Sequence, residues 1–287
     1  MFVYPTEDDL KEAFGDKASV ISGLERSIIE IIWDYGEEEI LLGDSKRGGK
    51  PDLPIDFDWP EYEGEAMVFF AQINCKDLPK FGHGLPDKGW LFFFAYFAPP
   101  VNEYGSPYQF LFQKNRFKVL YYDGSISEME THYYPSNLCD KFHFPARKLL
   151  FSHKKMFPPT LSIAVKLAGL SDDEARPLSE YRYAGCATST KMLGYPLRIQ
   201  DDVIYDFGHQ LFDAYERDMS PEEYQKVEAM HEDFVVLLEF VLGGEFYLEK
   251  VFEDYRVIGR SNAYFGILKE DLKALNFDKA FFVLQDT

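Results

Sequence analysis

Gly89-Trp-Leu-Phe-Phe-Phe-Ala-Tyr-Phe97 is the stretch whose reading decides the fold. It is apolar almost throughout, with no polar alternation, and it is entered by the turn Pro86-Asp87-Lys88-Gly89. A short apolar run bounded by a turn and rich in aromatics reads as a strand buried on both faces. Working outward, Met67 to Asn74 (MVFFAQIN) repeats the pattern on one side. Phe117 to Tyr122 (FKVLYY), closed by Asp123-Gly124, continues it on the other. Further on, Phe234 to Leu242 (FVVLLEFVL) stops at Gly243-Gly244, and Ala263 to Leu268 and Lys279 to Leu284 give two more strands joined by a short helix over Glu270 to Leu275. Leu149-Leu150-Phe151 is a shorter strand candidate, ended by Pro158-Pro159.

Composition agrees with sheet. The chain has 287 residues, and its 27 Phe, 19 Tyr and 3 Trp bring aromatics to 17%. Aromatic side chains favour pleated, half-buried surfaces. A chain of this length buries about three quarters of the surface its unfolded form exposes, so it needs neither disulfide nor metal to fold. Cys75, Cys139 and Cys186 are odd in number, widely spaced and without a CxxC. That is unlike a secreted disulfide framework. The opening MFVYPTEDDLKE lacks the basic start and apolar core of a signal peptide, and no stretch reaches the ~20 apolar residues of a membrane span. The expected location is the cytoplasm. The net charge of −19 speaks against nucleic acid and against an anionic membrane surface as partners, and it favours a basic protein partner. A monomer is the simplest expectation.

Helices are expected at the periphery. Thr6 can cap a first helix whose opening turn holds Glu7, Asp8 and Asp9. After Gly15-Asp16, the three- and four-residue spacing of Val20, Ile21, Leu24, Ile28, Ile31 and Ile32 predicts a second, amphipathic helix. The dense glycine and proline of Gly48 to Pro54 exclude regular structure there. Ser171 with Glu174 makes a capping box that Pro177 cuts short, and Ser220-Pro221-Glu222-Glu223 starts a helix running toward His231.

The elements recur in one order. Gly49-Lys50-Pro51, MVFFAQIN, Gly89 and LFFFAYF in the first half are matched by Gly194-Tyr195-Pro196, FVVLLEFV, Gly259 and AYFGIL in the second. The expectation is a mainly β (α+β) fold: two related β-sheet halves around a shared core, with peripheral helices. Residues 1–287 form one domain. N-terminal helices occupy 1–35, half one about 36–165 and half two about 166–287.

Gly48-Gly49-Lys50-Pro51-x-Leu53-Pro54, Trp59-Pro60, Phe70 to Asn74 and Leu85 to Gly89 resemble the YwqG-like family. So do Leu193 to Pro196, Gln200-Asp201-Asp202, and the closing Asp271-Leu272, Leu275, Phe277 and Lys279. The resemblance spans about Gly43 to the C-terminus. It implies a bacterial, mainly β, internally duplicated domain of unknown function, with some members near toxin and immunity genes. Half two departs from the family pattern at Glu239-Phe240-Val241 and at Ile258-Gly259-Arg260.

No motif fixes a chemistry. Gly43 to Lys50 (GDSKRGGK) is one residue too long for a phosphate loop, and Pro51 stands where the hydroxyl is needed. Cys139, His143, His132 and His153 lack the close spacing of a zinc site. Cys186 sits among small residues with no base in view. No cofactor and no metal are expected. The candidate binding residues are Lys50, Trp59, Gln72, Asn74, Trp90, Asp201 and Asp202. The expected function is non-enzymatic protein binding, immunity- or antitoxin-like in its sharpest form. The alternative is a small-molecule-binding protein or hydrolytic enzyme with a cleft between the halves, using Gln72, Asn74, Asp201 and Asp202.

Overall fold

The fold is described from a computed structural model over residues 4–35, 39–97, 115–181, 190–214, 217–242 and 261–285. Among them, ten strands form one antiparallel sheet. From one edge to the other they are β14 (Phe281–Gln285), β13 (Ser261–Leu268), β12 (Phe234–Leu242), β11 (Lys191–Met192), β1 (Arg26–Trp33), β10 (Arg147–Met156), β2 (Lys46–Arg47), β6 (Val68–Asn74), β7 (Trp90–Ala95) and β8 (Phe117–Tyr122). Two ribbons lie outside it: β3 (Asp52–Pro54) with β9 (Met129–Thr131), and β4 (Glu61–Tyr62) with β5 (Glu65–Ala66).

The sheet curls until its edges nearly meet. Phe117 on β8 stacks on Phe282 of β14 with centroids 5.7 Å apart, and Lys118 pairs with Asp278 across the seam. The enclosed space is filled by rings. Phe70 meets Phe240 at 5.6 Å and Phe265 at 5.8 Å, Phe93 meets Phe265 at 5.1 Å, and Phe265 meets Phe282 at 4.7 Å. The strands expected over 67–74, 89–97, 117–122, 234–242, 263–268 and 279–284 are all present, within three residues at their ends.

The second expected helix is a correction. Helix α1 (Glu7–Phe14) is capped by Thr6 as expected, but α2 (Ala18–Gly23) ends early and residues 26–33 form β1, the middle of the sheet. The helical stretch expected over 1–35 therefore stops at Gly23. Arg26 to Trp33 is rich in isoleucine, whose branched Cβ suits a strand. Ile29 and Ile31 face the enclosed core while Ile28 packs outside it, and such two-sided burial imitates helical spacing. A second correction concerns Gly48 to Pro54, where β2 and β3 flank and enter the turn despite its glycines and prolines.

Short helices cover the outside. Helices α1 and α2 share an apolar cluster with α3 (Ile163–Leu167), α4 (Asp172–Ala175) and α5 (Leu178–Tyr181). Helices α6 (Val203–Leu211) and α7 (Pro221–Ala229) seal the outer faces of β13 and β14 through Phe207, Val227, Tyr264 and Phe281. The expected capping boxes at Ser171 and Ser220 both form. Helix α8 (Lys269–Lys273) leads from β13 toward β14.

Two buried lysines fix how the turns after β2 and β11 sit on the sheet. Lys46 lies opposite Gln72 in register, and Lys191 lies opposite Glu239. Gly49 and Gly194 follow at φ +68° and +67°. A side chain at either would be strained by that backbone, and its Cβ would come within 2.5 Å of Ala146 Cβ or 2.4 Å of Ile28 Cγ2. Lys46 Nζ donates to Asp52 at 2.8 Å, and Asp52 N–H donates to Gln72 at 2.7 Å. Lys191 Nζ lies 2.7 Å from Glu239, which also accepts the Leu197 N–H at 3.0 Å. Strands β6 and β12 each carry a register shift, across Phe70 and across Leu237, two residues before Gln72 and Glu239.

Removing one carboxylate leaves a buried ammonium unpaired. Asp52→Ala is expected to lower unfolding free energy by about 3–5 kcal/mol, against about 0.5 kcal/mol for the exposed Asp58→Ala. Urea unfolding of the two variants side by side checks this; equal midpoints would refute it.

Candidate functional site

Three of the seven candidate residues converge, and what they hold is the chain itself. Gln72, fully buried, donates to Asp44 O and to the Asp52 carboxylate at 2.8 Å each. Trp90 Nε1 donates to Gly43 O at 2.8 Å, and Asn74 Nδ2 reaches the same oxygen at 3.4 Å. Asn74 Oδ1 also accepts the Lys76 N–H and caps a short 3₁₀ turn. Asp52 takes the Gly43 N–H at 2.9 Å and the Thr131 hydroxyl at 2.7 Å. Burial alone would push the Asp52 carboxyl up, but Lys46, Thr131 and Gly43 outweigh it and hold it below its ordinary value. The result is a pinned turn that presents Leu41 and Leu42 to solvent.

The others lie apart. The Lys50 ammonium sits 4.1 Å over the Tyr133 ring. Asp202 caps α6, accepting the Ile204 N–H at 3.0 Å and, from α3, the Ile163 N–H at 2.8 Å. Burial pushes its carboxyl up, and those two bonds offset only part of the rise. Asp201 is exposed, and its carbonyl accepts from Gln285. Nearby Asp206 accepts from the Gln285 amide at 2.8 Å, and burial pushes its carboxyl to about 6. Cys186 and the segment Ile258-Gly259-Arg260 lie outside the described residues. Cys75 is buried, and burial pushes its thiol up to about 12, which leaves it unreactive at neutral pH. Among the described residues, no three His, Cys, Asp or Glu side chains are arranged to hold a metal ion, and no helix is long and apolar enough to cross a membrane.

Trp59 belongs to a different feature. Its indole N–H donates to Met67 O at 2.8 Å, and its ring packs edge-on against Phe94 and Tyr134, at 5.5 and 6.1 Å. So held, it walls an open groove of about 880 Å³ that runs along the seam of the sheet. The opposite wall comes from α6 and from the connection between β13 and β14, including Leu211, Phe277 and Phe281. Six carboxylates line it: Asp58, Glu61, Asp213, Glu270, Asp271 and Asp278. The lysines are Lys118, paired with Asp278, and Lys279. An apolar floor under an excess of negative charge suits a segment carrying both cationic and apolar side chains. Sequence reading reached Trp59. It missed the carboxylates around α8, because nothing local says that residues two hundred positions apart face each other.

Asp206 gives a pH dependence. Its carboxyl is raised in the folded chain, so the fold binds a proton there more tightly than the unfolded chain does. Stability therefore falls as pH rises from about 4, the unfolded value, to about 6, and levels off above. Asp206→Asn should flatten that part of the profile and stabilise the protein at pH 7. Urea midpoints of both proteins between pH 4 and 7 check the sign, and a wild-type slope kept in the variant would refute it.

A search of curated proteins found no match to the chain. The family model described as a domain of unknown function, DUF1963, matches residues 45–285, which take in every strand of the large sheet except β1. On that match the chain belongs to the DUF1963 family.

Proposed function

We propose that this protein is a non-enzymatic binding module whose acidic seam groove receives a basic, apolar-bearing segment of a partner protein. The observation that carries the reading is the groove itself: Trp59, hydrogen-bonded to Met67 O, on one wall, Phe277 and Phe281 on the other, and six carboxylates around them. Charge of the opposite sign on a partner would speed encounter, and ring contacts would hold the complex. The net charge of −19 points the same way. The resemblance to YwqG-like proteins, some of them near toxin and immunity genes, makes neutralisation of a basic toxin the sharpest form of this reading, with the cytoplasm as its setting.

The alternative, ligand binding or hydrolysis through Gln72, Asn74, Asp201 and Asp202, has less support. Gln72, Asn74 and Asp202 are engaged in holding turns and a helix cap, and none of the four lines the seam groove. Affinity capture from native lysate at low salt, run beside an Asp58→Lys/Glu270→Lys variant, tests the leading reading. A basic protein should be enriched by the unaltered chain and recovered at least tenfold less by the variant or at high ionic strength, since about 1.4 kcal/mol suffices for that factor. Capture of no basic protein, or equal capture by both, would end it.

We further infer that the two halves are copies of one unit, with their first strands exchanged. The sheet order supports this once each copy is taken to begin one strand before residues 36 and 166, at β1 and at β10: β1 of the first copy then pairs with β11 of the second, and β10 of the second pairs with β2 of the first. So do the matched lysines, the matched glycine φ angles and the register shifts at matched positions of β6 and β12. The carboxylate has changed place: half one carries Asp52 with Gln72, and half two carries Leu197 with Glu239. Asp52→Leu and Gln72→Glu should each destabilise the chain. Together they recreate the second half's arrangement, so the double variant should be more stable than their sum predicts by about 2 kcal/mol of coupling. Strict additivity in a double-mutant cycle would count against the duplication.

A further inference from the structure

One end of the curled sheet is open, and its chemistry is the reverse of the seam groove's. At this end β1 and β12 begin, β6, β10 and β13 finish, and the β6–β7 connection and α8 stand over the opening. The opening is a cavity of about 870 Å³. Ser27 lies on the same face of β1 as the core residues Ile29 and Ile31, and His153 lies directly opposite Ile29. Strand alternation therefore puts both on the core-side face of the sheet, where Ser27 lines the mouth and His153, exposed, stands beside it against Phe81. Ser27 Oγ and His153 Nε2 are 2.9 Å apart. The His153 ring stacks on Phe81 with centroids 4.1 Å apart and planes at 13°, and His83 meets the other part of the Phe81 ring edge-on at 5.1 Å. His83 Nδ1 accepts the Leu85 N–H at 3.0 Å, which fixes the loop carrying Phe81. At Gly82 and Gly84, beside these rings, no atom lies within 4 Å of where a side chain would start, so the loop leaves open space.

The carboxylates at the mouth already have cations. Glu232 accepts from Arg26 at 2.7 Å, and Glu25 accepts from Lys155 and from the Tyr4 hydroxyl. Lys269 and Lys273 have none: they stand one helical turn apart on α8, exposed, with no ion pair among the described residues. Two uncommitted lysines therefore stand at the rim above Ser27 and an apolar wall of Phe234, Val235 and Leu272, with Glu270 and Asp271 of the same helix turned to the seam groove. Mouths of closed sheets are a recurrent place for small ligands.

We propose that this mouth binds a small organic anion, one that carries a carboxylate, phosphate or sulfonate on an aromatic or apolar body. The anionic group is held by Lys269 and Lys273, with Ser27 and His153 supplying hydrogen bonds below them, and the body lies against Phe81 and Leu272. The site shares no lining residue with the seam groove, although α8 contributes to both, and it stands or falls independently of partner binding there.

The anionic dye 8-anilinonaphthalene-1-sulfonate is the probe. Titrated against the native chain at neutral pH, it should give a saturable fluorescence rise at one dye per chain, competed by citrate. Lys269→Glu/Lys273→Glu should weaken its Kd about tenfold or more, as a change of about 1.4 kcal/mol requires. Phe81→Ala should weaken it as well, and Asp58→Lys, in the other groove, should leave it within twofold. Both lysines are exposed, so the unfolding midpoint of the double variant should match the unaltered chain; Lys273→Gln alone provides a milder second test with the same expected direction. Binding unchanged in the lysine variants, or non-saturating binding at several dyes per chain, would overturn the site and assign the dye to scattered apolar surface.

Discussion

Phe70 touches Phe240 and Phe265, Phe93 touches Phe265, and Phe265 touches Phe282, which stacks on Phe117 at the far edge of the sheet. This line of rings joins strands that are up to two hundred residues apart, and everything else depends on it. A ten-stranded antiparallel sheet that stayed open would expose its inner face and both edges to water. Filling the inside with rings gives the sheet a reason to curl, and curling brings β8 close to β14. Each buried ring adds apolar area and specific edge or offset contacts. Arg47 is part of the same interior, its guanidinium lying over Trp33 at 4.2 Å and over Phe240 at 5.4 Å. Its planar, delocalised charge suits such stacking better than an ammonium would.

Charge is handled differently inside and outside this shell. On the outer side of the sheet, Lys46 and Lys191 are almost wholly buried, each with a carboxylate within 2.8 Å. Such pairs add little net stability over an apolar substitute, since both ions must be stripped of water. What they do here is fix geometry: each ties a strand of two residues to its neighbour and to the turn beyond, where a hydrophobic contact would allow sliding. The turn at Gly43 is held the same way, by Asp52, Gln72 and Trp90 together. Polar residues that stand out in the sequence are therefore engaged in construction.

The surface is then divided between two openings. Along the seam, where the edges approach without pairing, carboxylates from both halves of the sequence gather over a largely buried apolar floor. At the open end, carboxylates are neutralised by neighbours and two lysines are left over. One acidic chain thus has two openings lined differently, one along the side of the sheet and one at its end. The seam is made by the two edge strands of the sheet, β8 and β14, whereas the mouth lies where β1 and β12, nearer its middle, begin; α8 borders both.

The strands at Val68–Asn74, Trp90–Ala95, Phe117–Tyr122, Phe234–Leu242, Ser261–Leu268 and Phe281–Gln285, the capped helices at Glu7, Asp172 and Pro221, and the aromatic interior were legible in the residues. Apolar runs between turn signals carry their own local meaning, and caps are read within four residues. The strand at Arg26 to Trp33 was not, because isoleucines buried on both faces of a central strand have the same spacing as one face of a helix. The roles of Gln72, Asn74 and Trp90 could not be read either, since Gln72 depends on Asp44 and the other two on Gly43, about thirty to fifty positions away. Both openings were likewise invisible. Sequence by itself determined six of the long strands and that the chain is acidic and aromatic. Only tertiary structure decided where the charges gather, because a groove is made of side chains whose nearness is set by closure of the sheet and not by their order along the chain.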